Sequence, residues 1–220
     1  MKRIAISQKV INQPDRNERL DALDQAWMEV MQRAGLYPIL VPNAGSYEYD
    51  LEAEQIDGVL LTGGNDFSEA LYEDLGLSAI AVGDQSAPER DFTEMSLVRN
   101  AERLGLPVLG VCRGMQLLHL LSGNSLVRVD GHVRTVHTLR IMDRDMESFC
   151  PVKANSYHNY GVPLDKMSPN FVGLACCGNV VEAFRSIHLP HWGIMWHPER
   201  GDVVDESDIR LLQYIFGSER

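Results

Sequence analysis

Residues 106–114, LPVLGVCRG, set an apolar run directly against a cysteine that has glycine two positions away on either side, at Gly110 and Gly114. A buried strand must stop there. The segment MQLLHLL that follows is apolar nearly all round, as expected of a helix packed deep beside a central sheet. A strand that turns straight into a helix through G-x-C-x-G forces a tight backbone at the cysteine, and the flanking glycines leave room for that turn against neighbouring strands. A strand–turn–helix unit of this kind belongs to a parallel sheet with right-handed crossovers, and that excludes most other architectures.

The preceding segments agree. RIAISQKV reads as a strand, and Leu20, Leu23, Trp27, Val30, Met31 and Ala34 recur at helical spacing up to Gly35. YPILVP and IDGVLLTGG read as two further strands, the second closed by Gly63 and Gly64. Residues 65–89 look irregular, whereas Met95, Val98, Ala101 and Leu104 predict a helix over 90–104 that Gly105 ends. The second half reads differently: SLVRV, TVHTLRIM, FVGLACC, VVEAFRS and HWGIMW are short and strand-like, and SDIRLLQYIF closes as a helix capped by Ser207. The expected fold is α/β: a three-layer sandwich with a mostly parallel central sheet, helices on both faces and an antiparallel extension. Its 220 residues suit a single domain over 1–220.

Charge narrows the partners. With 31 acidic residues against 20 Lys and Arg, the net charge of −11 repels phosphate backbones and anionic bilayers, so neither nucleic acid nor membrane is expected as a partner. No apolar stretch approaches the roughly 20 residues a spanning helix needs, and MKRIAISQKV does not resemble a signal peptide, so a cytoplasmic location is expected. The four cysteines, Cys112, Cys150, Cys176 and Cys177, lack CxxC spacing and fit reduced thiols.

The turn pushes the Cys112 side chain outward at the carboxyl end of the sheet, where the positive end of the following helix favours a thiolate. A thiol nucleophile also needs a base, a group to orient that base and donors for an oxyanion. Of the seven histidines, His197 has suitable company. In GIMWHPER an apolar strand ends at His197, Pro198 breaks the pairing and Glu199 turns back toward the imidazole. In LTGGND a second strand ends in glycines at the same sheet edge, so the oxyanion donors are the backbone N–H groups of Gly64 and Arg113. His188, His191 and His197 suggest a metal set, but alternation along one short strand separates their directions, so no metal is expected. Arg128, Arg134, Arg140, His132 and His137 form a basic cluster, read as a solvated face or as a surface for an anionic substrate.

With these residues placed, the chain resembles a class I glutamine amidotransferase domain of flavodoxin-like form. Within that superfamily it is similar to the stand-alone gamma-glutamyl hydrolases of the peptidase C26 type, typified by gamma-glutamyl-gamma-aminobutyrate hydrolase. The resemblance rests on LTGGND, ERDFTEMSL, PVLGVCRGMQLLHLLSGNSL, NSYHNYGV, VVEAF and GIMWHPE in that order. It implies Cys112 as nucleophile, His197 as base and Glu199 as its partner. It adds substrate contacts at Gly63, Gln116, Asn155, Ser156, Tyr157 and His158, and a supporting Glu182. Arg113 after the nucleophile resembles the hydrolase branch. The stretch from Asn65 to Arg90 lacks the proline-containing substrate loop of many members, with Tyr72 and Glu73 as its only echo.

The implied reaction is hydrolysis of a small gamma-glutamyl amine through a thioester on Cys112, with no cofactor. The amine is gamma-aminobutyrate or a nucleotide-linked amine such as CDP-ethanolamine, and a homodimer is left open. Two alternatives remain at this point: a glutaminase subunit delivering ammonia to a synthase, and a catalytically silent binding protein.

Overall fold

The structure is a computed structural model that describes residues 1–43, 45, 48–80, 85–201 and 203–217. In chain order its elements begin with β1 (Lys2–Ser7), β2 (Lys9–Gln13), β3 (Glu18–Ala22), α1 (Ala26–Ala34), β4 (Leu36–Val41) and β5 (Gly58–Leu61). Then come α2 (Glu69–Asp74), α3 (Pro88–Leu104), β6 (Val108–Val111), α4 (Arg113–Leu121), β7 (Val127–Arg128), β8 (Val133–Thr138) and β9 (Arg140–Ile141). The chain continues through β10 (Lys153–Tyr157), β11 (Tyr160–Pro163), β12 (Phe171–Cys177), β13 (Val180–Ser186), β14 (His191–Ile194) and α5 (Glu206–Gly217).

The main sheet runs β4-β1-β5-β6-β14-β13-β11-β7. Its first five strands are mutually parallel, and β13, β11 and β7 continue it antiparallel, with β12 and β9 joined alongside. Alternate residues of the central strands feed opposite cores, as a period of two requires. Ile4, Ile6, Leu60, Leu109 and Val111 pack with Trp27 and Met31 of α1 and Leu212 and Phe216 of α5. Ala5, Val59, Leu61 and Val108 pack with Leu97 and Val98 of α3 and Leu117 and Leu118 of α4. The three layers, the parallel centre and the antiparallel extension are those expected.

Four local expectations are corrected. The first helix starts at Ala26, because β2 and β3 form a hairpin in which Leu20 pairs with Ile11, and the Asp24 carboxylate just before the helix accepts from the Ala26 N–H. Residues 65–89 are not wholly irregular, since Ser68 accepts from the Leu71 N–H and starts α2, and α3 begins at Pro88. Tyr72 is buried beside Phe67 in the core, so it does not stand in for a substrate loop. Ser207 lies inside α5, and Asp205 is the residue whose carboxylate accepts the Ser207 N–H at 2.8 Å. Residues 81–84, within the stretch expected to be irregular, lie outside the described residues.

Candidate active site

Three neighbouring parallel strands deliver the residues singled out by sequence to one edge. In register, Leu61 of β5 stands beside Gly110 of β6, and Val111 of β6 beside Ile194 of β14. The next residues of each strand are therefore the Thr62–Gly64 turn, Cys112, and the segment leading to His197. Cys112 donates its N–H to the Ile194 carbonyl at 2.7 Å and then takes φ 51°, ψ −101°, a left-handed backbone that a cysteine adopts only under constraint from its surroundings. The constraint is visible. A Cβ on Gly110 would stand 2.4 Å from the Gly114 carbonyl carbon, and one on Gly114 would stand 2.4 Å from the Leu61 carbonyl oxygen. The first turn of α4 thus lies directly on the backbones of β5 and β6.

His197 Nδ1 donates to Glu199 Oε1 at 2.8 Å, across the short turn that Pro198 opens. Burial lowers the basicity of this imidazole, but the charge of the Cys112 sulfur, its interaction with the ring and the Glu199 carboxylate reverse that and raise the pKa to about 9. His197 Nε2 is buried without a hydrogen bond of ordinary geometry, as is common for such pairs before substrate enters. Gly63 packs against the pair: a Cβ there would meet His197 Cε1 at 2.5 Å and Cys112 Cβ at 3.6 Å. Gly64 follows at φ +104°, and among the described residues neither its N–H nor that of Arg113 has a protein acceptor.

One expectation changes here. Cys112 does not stand out into solvent; it is 7% exposed and His197 is 1% exposed. The imidazole packs against the thiol, and the ring of Tyr157 stands edge-on to that imidazole, with centroids 5.6 Å apart. Space lies to the sides. A cavity of 640 Å³ is lined by His197, Asn155, Tyr157 and Arg200, and one of 470 Å³ by Gly64, Asn65, Lys9 and Arg200, so Arg200 borders both.

The expected substrate contacts divide. Asn155 and Tyr157 face the larger cavity, whereas Ser156 is fully buried and its hydroxyl donates to the His132 carbonyl at 2.7 Å. Alternation along β10 is the reason: four successive residues cannot face one pocket. His158 also turns inward, its Nδ1 2.9 Å from the Tyr160 carbonyl. Gln116 donates to the same carbonyl at 2.7 Å, so its amide is committed to β11. Asn155 is itself committed to the backbone of His197, donating to its carbonyl at 2.8 Å and accepting from its N–H at 2.9 Å.

Sequence reading missed a buried ion network behind the cysteine. The guanidinium of Arg113 pairs with Asp91 and Glu94, and that of Arg90 with Glu94 at 2.9 Å. Arg90 also donates to the Gly63 and Thr62 carbonyls at 3.0 and 2.7 Å, and Ser7 Oγ donates to Glu94 at 2.7 Å. Burial would raise Glu94, but Arg113 and Arg90 outweigh it and hold its carboxyl below the usual range, while burial lowers Arg90 to about 10. The motif ERDFTEMSL therefore braces the Thr62–Gly64 turn against α4.

The basic cluster splits as well. Arg134 lines the larger cavity, while His132 and His137 sit with His158, Glu182 and Cys177. Among the described residues the side chains that gather at metal-ligating distance are these, and not His188, His191 and His197. All four cysteines are free, and no described helix is long and apolar enough to cross a membrane.

Comparison with known proteins places the chain in a family. The family model described as Peptidase C26 matches residues 4–199. A gamma-glutamyl-CDP-amidate hydrolase of Campylobacter jejuni is 26% identical over 216 residues, covering 97% of this chain and 96% of that protein. Protein NtpR of Enterococcus hirae is also 26% identical, covering 86% of each chain. Among solved structures, the glutaminase domain of Trypanosoma brucei CTPS with bound acivicin superposes with TM-score 0.64 at 13% identity, covering 100% of this chain and 96% of that one.

Proposed function

The chain belongs to the Peptidase C26 family, the gamma-glutamyl amide hydrolase branch of the class I glutamine amidotransferase-like proteins, and from that premise we propose that it cleaves a gamma-glutamyl amine using Cys112, His197 and Glu199. The observation that carries this reading is the convergence of these three side chains at the ends of adjacent parallel strands, with the His197–Glu199 hydrogen bond formed.

Cys112 attacks the gamma-carbonyl carbon, and the N–H groups of Gly64 and Arg113 receive the oxyanion. An imidazole whose pKa is raised to about 9 is protonated at neutral pH, which suits donation from Nε2 to the departing amine. The neutral imidazole then takes a proton from water, the resulting hydroxide attacks the thioester, and glutamate leaves as the Cys112 thiolate and the protonated imidazole are restored. Glu199 keeps Nδ1 protonated throughout.

For the amine, the larger cavity supports an anionic, nucleotide-linked group. In a chain of net charge −11, Arg134, Lys153 and Arg200 all border it, and Arg200 lies 4.8 Å over the Tyr157 ring, a face on which a base can stack. Asp205 and Asp208 border it too, but Asp205 is bonded to Ser207 and burial holds Asp208 near pKa 7. The C. jejuni relative carries CDP-amidate in its name, in line with this choice.

The test is glutamate release from gamma-glutamyl-CDP-ethanolamine, gamma-glutamyl-gamma-aminobutyrate and glutamine, with wild type and Cys112→Ala. We expect the highest kcat/KM for the nucleotide-linked amide, a covalent adduct on Cys112 by mass spectrometry, and loss of release by at least roughly 10³-fold in the variant. Turnover of glutamine alone, rising with an added synthase, is the outcome that replaces this reading with the glutaminase one.

A further inference from the structure

Away from Cys112, three buried side chains meet that the proposed reaction leaves unused. His132, His158 and Glu182 are 6%, 3% and 0% exposed, and none forms a hydrogen bond or ion pair with Cys112, His197 or Glu199. His132 Nδ1 lies 3.2 Å from Glu182 Oε1, and His158 Nε2 lies 3.7 Å from the same oxygen. Neither contact has hydrogen-bond geometry: His132 Nδ1, His158 Nε2 and both Glu182 oxygens are buried without a hydrogen-bond partner.

The tautomer of His158 sharpens this. Its Nδ1 stands 2.9 Å from the Tyr160 carbonyl, which can only accept, so Nδ1 carries the proton. Unless Nε2 carries a proton as well, it turns a bare lone pair toward a carboxylate that also offers only lone pairs. Such donors facing one another in a dry interior repel unless a cation lies between them. A histidine whose other N–H is held by a backbone carbonyl is the outer arrangement that metal-bound imidazoles show.

The spacing selects the cation. Ligands at about 2.0–2.3 Å from a tetrahedral zinc stand roughly 3.3–3.7 Å apart; the His158–Glu182 separation of 3.7 Å meets that spacing and the His132–Glu182 separation of 3.2 Å lies just below it. The candidate ligand atoms of His132, His158 and Glu182 all lie within 4.8 Å of one another, and so do those of His132, His137 and Cys177. Imidazole, carboxylate and thiol together favour zinc and its neighbours over calcium or magnesium, which take oxygen. Cys177, at the end of β12, is half-buried and gives the site a way in from solvent.

We propose that His132, His158 and Glu182 bind one zinc-class transition-metal ion, and that the Cys177 thiol, which stands with His132 rather than with His158 and Glu182, turns onto the ion as the fourth ligand. The ion ties β13, which carries Glu182, to the end of β10, which presents Asn155 and Tyr157 to the larger cavity.

The test uses the full chain with Cys112→Ser, so that the thiol–imidazole pair at the other site does not compete for metal. After chelator treatment, zinc chloride is titrated against a chromophoric competitor and cobalt(II) is followed by visible absorption. We expect about one equivalent bound and an intense tetrahedral cobalt spectrum, with its sulfur charge-transfer band lost in Cys177→Ser. Glu182→Gln and His158→Gln, checked for folding by circular dichroism, weaken zinc binding by at least about 10- to 100-fold. Should the buried variants fail to fold, the cobalt spectrum and Cys177→Ser still decide. The proposal is overturned by absence of stoichiometric zinc, by binding indifferent to folded Glu182 and Cys177 variants, or by an octahedral cobalt spectrum. Nitrogen-15 spectra showing His158 doubly protonated at neutral pH in a chain that takes up no zinc also overturn it, since a proton then fills the cation's role.

Discussion

The side-chain amide of Asn155 and the backbone of His197 exchange two hydrogen bonds, the amide donating to the carbonyl at 2.8 Å and accepting from the N–H at 2.9 Å. Bonds to the N–H and the C=O of one residue hold the two peptide units that flank its Cα, and the imidazole is carried by that Cα. Asn155→Ala is expected to lower kcat by roughly 10- to 100-fold, with KM little changed. Asn155→Asp, which keeps the acceptor and loses the donor, should fall between. Steady-state kinetics distinguishes this from a substrate contact, for which KM would rise.

A methyl group at position 63 has no room, since it would stand 2.5 Å from His197 Cε1. Gly63→Ala should displace the imidazole by about an ångström and cut kcat/KM on the order of 10²-fold, with the fold retained. Gly64→Ala acts differently, because φ +104° is hostile to a side chain, so its cost of about 1 kcal/mol or more should appear as lowered stability in urea unfolding.

Both of those sites were readable from sequence to different depths. The strand–turn–helix at Cys112 and the His197–Glu199 pair are local patterns, set by residues adjacent in the chain. The grip of Asn155 on His197, and of Arg113 on Asp91 and Glu94, joins segments far apart, and composition carries no sign of either. In ERDFTEMSL the helical period marks Met95 as inward and says nothing of Arg90, Asp91 and Glu94. Asp91 and Glu94 are buried because the opposite charge of Arg113 arrives from α4, and Arg90 because Glu94 and the Thr62 and Gly63 carbonyls receive its guanidinium. Leu20 fitted the helical period of the next segment by chance, and the hairpin took it instead. Ser156 and His158 were assigned by motif, and strand alternation overruled the motif.

His197 should titrate near pH 9 by nitrogen-15 NMR, because burial, which lowers it, is outweighed by Cys112 and Glu199. A base raised from about 6.5 contributes stability that is complete below that value and is lost as pH climbs through about 9. In Cys112→Ala the midpoint should move at least roughly one pH unit lower. A midpoint unchanged in that variant would show that the sulfur's charge does not act on the ring.

Asp208 gives the opposite case of an acid. Burial raises it to about 7, against the Trp196 indole N–H that donates to it at 2.7 Å, with Asp205 and Glu199 adding to the rise. Between pH of about 4 and 7 the folded chain therefore holds a proton that the unfolded chain has released, and its stability falls as pH rises across that window. Asp208→Asn keeps the acceptor for Trp196 and removes the titration. Its melting temperature should change less between pH 4 and 7, and should exceed wild type by a few degrees at pH 8.

The first turn of α4 rests on bare backbone at Gly110, Gly114 and Leu61, so Cys112 is held by contacts among main-chain atoms. The rims of both cavities are instead built from long side chains such as Arg134, Lys153, Lys9 and Arg200. Under the proposed reaction, a substitution at either rim would alter which amine is accepted and leave the backbone that fixes the thiol in place.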